Sequence, residues 1–267
     1  MATPLSATRF LAALRDEGLT VVEVGNWRTH NRGQRGDGWG PVHGVLLHHT
    51  VTKGTQSSID IVRDGYAELP GPLCHGLIDK DGKVYLVGYG RTNHAGLGDP
   101  RVLDAVIAEK SLPAPRYGES AKDGNARLYG FECVNLGDGK DSWPAVQVEA
   151  MVRASAALVR AHDWGKDGKT SVLAHKEWQY GKPDPRGPGF PTMAVIRDRA
   201  HERLQHPPSW SPGDDEGGPS QATYTVRDGD TLTEISERFD VSVDRLAALN
   251  KLKDPDEIAV GQRLKLK

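Results

Sequence analysis

The stretch GVLLHHTVTKGTQSS, residues 44–58, places two histidines directly after an apolar run. The continuous run Val45–Leu47 predicts a buried strand, and the polar residues that follow predict a loop leading into a helix. An imidazole at the end of a buried strand needs a hydrogen-bond partner, a catalytic role or a metal ion. Because strand side chains alternate between faces, His48 and His49 point in opposite directions. The doublet alone leaves open a metal ligand or an ordinary core histidine.

The rest of the first two hundred residues alternates in the same way between apolar strands and amphipathic helices. The first strand is predicted at 42–48. Further strands are predicted at 74–79, 83–87, 128–135 and 171–174, and helices at 58–67, 143–163 and 192–204. Ser142 is predicted to be the N-cap of the helix at 143–163. The DKDGK segment (79–83) carries the Asp-Gly of a tight hairpin turn. We therefore expect an α/β fold with a mixed central β-sheet flanked by helices.

The chain divides at HPPSWSPGDDEGGPSQA, residues 206–222, which is rich in Pro, Gly, Ser and Asp and has no helical or strand period. This composition predicts a flexible linker. Residues 1–205 then form a catalytic domain with its core at about 40–205, and residues 223–267 form a small separate domain.

Composition excludes several classes of protein. The net charge is -2, which argues against a nucleic-acid or anionic-membrane surface, and there are two cysteines, too few for a disulfide framework. The N-terminal segment MATPLSATRFLAALRDEGLT has no basic n-region and no continuous apolar h-region, so we read no signal peptide. We expect synthesis in the cytoplasm, no nucleic-acid partner, no stable membrane association and a monomer.

The tail predicts a strand at 224–226, a helix capped by Asp230 or Thr231, a second helix capped by Ser242 and a closing strand after Gly261. Its YTVRDGDTL, LAALN and VGQRLKL segments resemble the LysM module, which binds N-acetylglucosamine-containing glycans. The resemblance implies a small β-α-α-β domain that binds cell-wall glycan through two loops. The glycan-contacting positions it implies are Gly229, Asp230, Thr231, Leu232, Asn250 and Ile258, of which Leu232 and Ile258 could equally be core residues.

Zinc catalysis needs three protein ligands and an open position for water. His48 ends the first strand and His175 ends the last. Asp184 follows in a loop stiffened by Pro183 and Pro185. Sequence distance alone does not bring these three side chains together.

Six separated motifs, in order, resemble the zinc-dependent N-acetylmuramoyl-L-alanine amidases of type 2, relatives of the peptidoglycan recognition proteins. These motifs are LLHHT, HGLIDKDGKVY, NHAG, YGFECVN, AHKEW and KPDP. The resemblance covers about residues 40–205 and leaves the first 40 unexplained. It implies one Zn²⁺ per catalytic domain, held by His48, His175 and Asp184. His49 then takes the other role, a hydrogen bond in the core or behind the ligands.

The resemblance also implies the remaining site residues. Glu132 would move the proton, and Lys182 would stabilise the oxyanion, against the alternatives of a buried salt bridge and a solvated surface lysine. His94 matches a family histidine at the rim of the substrate groove. Cys74 stands where many relatives carry Tyr, so tyrosine assistance is in doubt and Cys74 is left as a substrate-side residue. We reject Cys74 as a fourth zinc ligand because it would close the position that water needs.

These features together predict a peptidoglycan hydrolase that cleaves the amide between N-acetylmuramic acid and L-alanine. A wall-binding module without a signal peptide suggests a phage endolysin released through a holin, and an exported bacterial autolysin is the other setting. The alternative functions are a non-catalytic peptidoglycan-binding protein and a zinc peptidase that cuts within the stem peptide.

Overall fold

The computed structural model describes residues 2–33, 35–165, 170–211, 223–226, 230–239, 241–252, 254 and 258–266. The chain forms two compact units, Met1–Ser209 and Trp210–Lys267. The first unit ends four residues beyond the predicted boundary at 205, and the Arg203 side chain donates to the Pro208 carbonyl at 3.1 Å. Most of the predicted linker lies outside the described residues. None of the helices in the described ranges is long and apolar enough to cross a lipid bilayer.

The first unit is built from strands and helices in alternation, as the sequence predicts. Its elements are α1 (Ala7–Asp16), β1 (Val21–Glu23), β2 (Gly44–His49), α2 (Thr55–Asp64), β3 (Gly76–Ile78), β4 (Val84–Leu86), β5 (Leu97–Gly98), α3 (Pro100–Ile107), β6 (Lys122–Asp123), a 3-10 turn (Gly124–Ala126), β7 (Leu128–Cys133), α4 (Ala145–His162), β8 (Val172–Ala174), α5 (His175–Trp178) and α6 (Met193–Leu204).

Six of these strands form one sheet in the order β1-β4-β3-β7-β2-β8. Only the β3–β4 hairpin is antiparallel; β1–β4, β3–β7, β7–β2 and β2–β8 are parallel. The predicted mixed sheet is therefore confirmed, and β5 and β6 form a separate antiparallel pair. Because β3, β7, β2 and β8 run the same way, their carboxyl ends lie along one edge, where α/β proteins usually bind ligands.

The sheet is covered on both faces, which explains why β2 is buried at every position. Side chains on one face of the strands, such as Leu47 and Phe131, pack with α1, α4 and α6. Those on the other face, such as Leu46 and Leu173, pack with α3 and Trp178 of α5. Apolar residues of α2 pack beside Leu77 of β3. His48 follows the period of Leu46 and so lies on the face opposite α4.

The first 40 residues, which the resemblance leaves unexplained, are part of this core. Phe10 in α1 is fully buried against Tyr129 and Phe131, and β1 extends the sheet beside β4. The Glu17 carboxylate accepts from Arg203 at 2.8 Å and from Arg160 at 3.1 Å. This buried ion cluster fixes α1 to α4 and α6.

The long helix α4 begins two residues later than predicted, and Ser142 is not its N-cap. Pro144 occupies the N-cap position with an extended backbone. Trp143 is held outside the helix, because its backbone N–H donates to the Pro188 carbonyl and its indole N–H to the Arg186 carbonyl. Tertiary contacts of Trp143 therefore override the capping pattern read from the sequence.

The second unit has the predicted β-α-α-β order. β9 (Thr223–Thr225) pairs antiparallel with β10 (Arg263–Lys265), and the helices are α7 (Leu232–Phe239) and α8 (Val243–Asn250). Its own core is a buried apolar cluster that is separate from the first unit. This cluster consists of Tyr224, Val226, Leu232, Ile235, Phe239, Leu246, Leu264 and Leu266.

Candidate metal centre and active site

The three predicted metal ligands converge at the carboxyl edge of the sheet. His48 is the penultimate residue of β2. His175 directly follows β8 and is the first residue of α5. The Nδ1 atoms of the two histidines are 3.1 Å apart. The Oδ2 atom of Asp184 lies 3.3 Å from His48 Nδ1 and 3.1 Å from His175 Nδ1. All three side chains are buried.

This donor set fits a zinc ion. Two imidazole nitrogens and a carboxylate oxygen are common zinc ligands, and tetrahedral bonds of about 2.0–2.1 Å place neighbouring ligand atoms about 3.3–3.4 Å apart. The observed separations of 3.1–3.3 Å are close to that value. Three lone pairs that meet inside a protein repel one another unless a cation or protons lie between them.

A chain of hydrogen bonds sets which nitrogen of His48 faces this centre. His94 Nε2 lies 3.0 Å from the Leu128 carbonyl oxygen, which only accepts, so Nε2 carries the proton. Burial holds the pKa of His94 well below its usual value, so its ring is neutral and its Nδ1 accepts. His48 Nε2, 3.1 Å away, is then the donor, and His48 Nδ1 presents a bare lone pair to Asp184 and His175.

A second group of side chains, His48, Cys74 and His94, also brings possible ligand atoms close together. The hydrogen bonds just described argue against a metal ion there. Both nitrogens that this group offers are already engaged with each other, since His48 Nε2 donates to His94 Nδ1. Burial, reinforced by the charge of Glu132, raises the pKa of the Cys74 thiol well above its usual value, so the sulfur stays protonated. The centre formed with His175 and Asp184 is therefore the better metal site.

The Asp184 carboxylate is ionised. Burial alone would raise its pKa, but the adjacent His175 and His48 rings outweigh burial and lower it below its usual range. Burial lowers the pKa of His48 to about 4, despite the opposing effect of Asp184. The centre thus holds one negative charge and a neutral His48 at pH 7, which favours a divalent cation.

Glu132 lies beside the ligands because β7 and β2 are in parallel register, with His48 opposite Glu132. Its Oε2 atom is buried with no hydrogen-bond partner among the described residues. Burial first, and then the negative charge of Asp184, raise the pKa of Glu132 to about 8, while Lys182 acts in the opposite direction. A carboxyl group with a pKa near 8 can both accept and donate a proton near neutral pH.

These side chains share one pocket of about 400 Å³. Lys182 is exposed at its mouth, and the exposed Tyr66 and Leu69 form an apolar wall. His49, on the other face of the strand, packs against Gly137, where a Cβ would lie 2.6 Å from the imidazole ring.

The two predicted substrate-side residues are both buried. His94 is 7% exposed, lies behind His48 and lines the metal pocket, and its contact with substrate stays a prediction. Cys74 is 0% exposed and packs with the apolar residues under α2, and its contact with substrate stays a prediction. Its sulfur lies close to ligand atoms of His48 and His94, and it is not a member of the group formed by His48, His175 and Asp184.

Asn125 is a site residue that the sequence did not reveal. Its Oδ1 atom accepts backbone N–H groups of His94 and Ala95 at 2.8 Å and of Gly96 at 3.2 Å. The side chain thereby fixes the loop that carries His94. No local pattern signals a contact between an asparagine and a loop 30 residues earlier.

In the second unit the predicted glycan-contacting residues have clear structural partners. Thr231 caps α7 by accepting from the Glu234 backbone, and Asp230 accepts from the Tyr224 hydroxyl at 2.6 Å. Leu232 is buried in the core. The Asn250 amide pairs with both backbone groups of Lys265.

Ile258 packs partly buried against the core of the second unit, and Gly229 lies outside the described residues. For all six positions, glycan contact stays a prediction.

Residues 38–187, more than half of the chain, match the N-acetylmuramoyl-L-alanine amidase family model. The chain belongs to this amidase family. Residues 224–267 match the LysM domain.

Among curated relatives of the amidase chain, the N-acetylmuramoyl-L-alanine amidase XlyA of Bacillus subtilis is 29% identical over 166 residues, 61% of this chain and 48% of the relative. The chain thus spans about half of that relative's length. The LysM part matches the uncharacterized lipoprotein YgeR of Escherichia coli, 48% identical over 58 residues, which are 22% of this chain and 23% of the relative.

Among solved structures, the amidase LysC from Clostridium intestinale is similar, with a TM-score of 0.43 and 18% identity, over 70% of this chain and 97% of that one.

Proposed function

We propose that this amidase hydrolyses the amide bond between N-acetylmuramic acid and L-alanine in peptidoglycan, with one zinc ion held by His48, His175 and Asp184. The observation that carries the proposal is the triangle of ligand atoms, 3.1–3.3 Å on each side, next to a carboxyl group whose pKa is raised to about 8. Family membership supports the choice of bond.

The bound metal would polarise the amide carbonyl and make its water acidic. Glu132, with its free Oε2 atom, accepts a proton from the attacking water and passes it to the departing alanine nitrogen. The Lys182 ammonium, at the mouth of the same pocket, stabilises the oxyanion of the tetrahedral intermediate. His94 and Leu128 hold the His48 ring in its ligating tautomer.

The LysM unit would bind wall glycan, with peptidoglycan as the common partner of both units. Even weak binding raises the concentration of the catalytic unit at an insoluble substrate. The combination of a lytic unit and a wall-binding unit supports a phage endolysin, released through a holin.

The test is product analysis on purified peptidoglycan. Cleavage by the zinc-loaded protein should release stem peptides with a new N-terminal alanine, and a chelator should stop the release until zinc is restored. A new N-terminus inside the stem peptide would identify a peptidase. Wall binding without any product from zinc-loaded protein would identify a non-catalytic binder.

The matched variants are Glu132→Gln and Glu119→Gln, since Glu119 is an exposed carboxylate outside the pocket. We expect the first to lose about 10²- to 10⁴-fold in kcat with unchanged zinc content, and the second to keep its activity. Equal activity of the two variants would remove Glu132 from the mechanism.

A further inference from the structure

A pocket of about 310 Å³ lies at the amino edge of the sheet, at the other end of the strands from the metal centre. His43 and Ser171 line this amino-edge pocket, and they directly precede the parallel strands β2 and β8. Because β2 is extended, His43 lies five residues, or about 16 Å, from His48. The amino-edge pocket is therefore separate from the active site, and the proposed reaction does not use it.

Two buried polar groups of this pocket have no partner. Ser171 is 1% exposed, and its hydroxyl has no hydrogen-bond partner among the described residues. The His43 side chain is 9% exposed, and no hydrogen bond to its ring is found within the described part of the chain. Burial lowers the pKa of His43, so its neutral ring offers one donor and one acceptor at pH 7. Since buried polar groups are nearly always paired, the two residues indicate a ligand that both donates and accepts.

Glu109 adds a carboxylate to the same pocket. Its Oε1 atom accepts the Gly165 backbone N–H at 2.6 Å, which fixes the exposed side chain and leaves Oε2 for another donor. An alkylammonium ion would pair with Glu109 but has no acceptor for the donors of Ser171 and His43. A neutral ligand with several hydroxyl or amide groups satisfies all three side chains.

An aromatic ring forms one wall of the pocket. Trp164 is partly exposed, and its ring stacks on the His162 ring with centroids 4.2 Å apart and planes 9° apart. His162 is held in turn by the Tyr129 hydroxyl at 3.1 Å, so the indole is fixed before a ligand arrives. Val106 and Ile107 of α3 add apolar surface. An aromatic face beside fixed polar groups suits a sugar ring, which carries C–H groups on its faces and hydroxyl groups at its edge.

We propose that the amino-edge pocket binds an N-acetylhexosamine residue of wall glycan and is a second glycan site, on the catalytic unit and remote from the metal centre. Trp164 stacks on the sugar ring, and Glu109 accepts from its hydroxyl groups. The acetamido group has one donor and one acceptor, which complement Ser171 and His43, and its methyl group lies on the apolar surface of α3. The choice of wall glycan as the source of the sugar rests on the proposed function. The site would hold a second stretch of glycan while the metal centre acts on the first.

The experiment titrates the full chain with methyl N-acetyl-β-glucosaminide and follows the Trp164 indole N–H signal by nitrogen-15 NMR. The signal is identified by its loss in Trp164→Phe. Because Trp164 belongs to the first unit, its signal reports this pocket even where the LysM unit also binds the sugar. We expect a saturable shift, and an affinity about three- to tenfold lower for methyl β-glucoside, which lacks the acetamido group.

Two variants test the polar residues. Ser171→Ala should lower the sugar affinity about three- to tenfold, as for the loss of one hydrogen bond. Because its hydroxyl has no partner within the described residues, the same variant should keep or raise Tm, whereas a purely structural serine would lower Tm and leave the titration unchanged. Glu109→Gln should also bind the sugar more weakly. Glu119→Gln, a matched change of an exposed carboxylate outside the pocket, should titrate as the wild type does.

The titration does not depend on catalysis, because the glycoside has no amide bond between muramic acid and alanine. A Trp164 shift in a protein that cleaves no peptidoglycan would keep the site and refute the reaction. A Trp164 signal that stays unchanged across the titration, or equal affinities of Ser171→Ala and wild type, would refute the site. Tighter binding of n-butylammonium than of the sugar at Trp164 would overturn the sugar assignment in favour of a cation site.

Discussion

The hydrogen-bond chain behind His48 leads to a prediction for zinc affinity. In His94→Phe, a ring of similar shape replaces His94 Nδ1, the one acceptor found for His48 Nε2–H among the described residues. Zinc binding at Nδ1 forces the proton onto Nε2, which would then be buried without a partner. The metal-free protein can avoid this penalty by moving the proton to Nδ1, 3.3 Å from Asp184 Oδ2. The cost therefore falls on the metal-bound state.

An unsatisfied buried donor costs about 1–3 kcal/mol, and the loss of such a partner behind a ligand typically weakens metal affinity about 10- to 100-fold. We expect His94→Phe to weaken zinc binding by that factor, as measured by competition with a chromogenic chelator. His94→Gln, which offers a side-chain carbonyl as acceptor, should recover part of the affinity. Nitrogen-15 NMR of metal-free protein should show the His48 proton shifted towards Nδ1 in His94→Phe.

The matched control is His162→Phe, since His162 bonds to Tyr129 and stacks on Trp164, away from the metal centre. It should bind zinc as the wild type does. Zinc affinity of His94→Phe within twofold of wild type, with the His48 proton still on Nε2, would refute the reasoning.

Three further predictions concern groups around the core. A Cβ at Gly130 would collide with His94 Nδ1 and lie 2.9 Å from Cys74 Sγ. Gly130→Ala should therefore displace His94 and weaken zinc binding in the same chelator assay. A wild-type zinc affinity would show that the His94 ring is not held in place by Gly130. Burial lowers the pKa of His75 to about 3, so its neutral form stabilises the fold above pH 6.5, and this contribution is lost as the pH falls from 6.5 towards 3. At pH 5 this loss is about 2 kcal/mol. In urea unfolding of metal-free protein, the free energy of unfolding should therefore fall between pH 7 and pH 5 by about 2 kcal/mol less in His75→Gln than in the wild type. An identical fall in the two proteins would exclude His75 as the cause. Glu17→Gln removes the shorter of the two ion pairs that the buried Arg203 forms within the described residues, and Arg203 keeps Glu149 at 3.3 Å. It should lower the free energy of unfolding by about 1.5–3 kcal/mol, and a change below about 0.5 kcal/mol would show that the cluster relaxes.

The elements that the sequence predicted well are those whose pattern is local. The apolar run of β2, the helical period of α4 and the apolar spacing of the second unit are each visible within a single segment, and each is present in the structure. The strand β1 has three residues, two of them exposed, and pairs with β4 some sixty residues away. Such an element has no local signal, because its position depends on α1 packing against α4.

The site residues, too, could be predicted only in part from local patterns. The sequence places His48 and His175 at the ends of strands, but only the family resemblance predicts that these two residues, 127 positions apart, lie together. The resemblance places His94 at the rim of the substrate groove, but its position on the pocket wall depends on the Leu128 carbonyl and on Asn125, neither of which has a sequence signature. Cys74 shows the same limit, since a residue type that suits a pocket can equally fill the core.

The register of β2 against its two neighbours connects the fold with the chemistry. β2 pairs with β7 so that His48 is opposite Glu132, and with β8 so that Leu47 is opposite Ala174, one residue before His175. A slip of β2 by one residue would place His49 beside Glu132 and turn His48 towards α4. The apolar residues Val45 and Leu47, fixed against α4 on one face, and Leu46, fixed against Trp178 on the other, oppose that slip. The packing of the apolar run that precedes the doublet therefore sends the predicted ligand His48 and its neighbour His49 to opposite faces of the sheet.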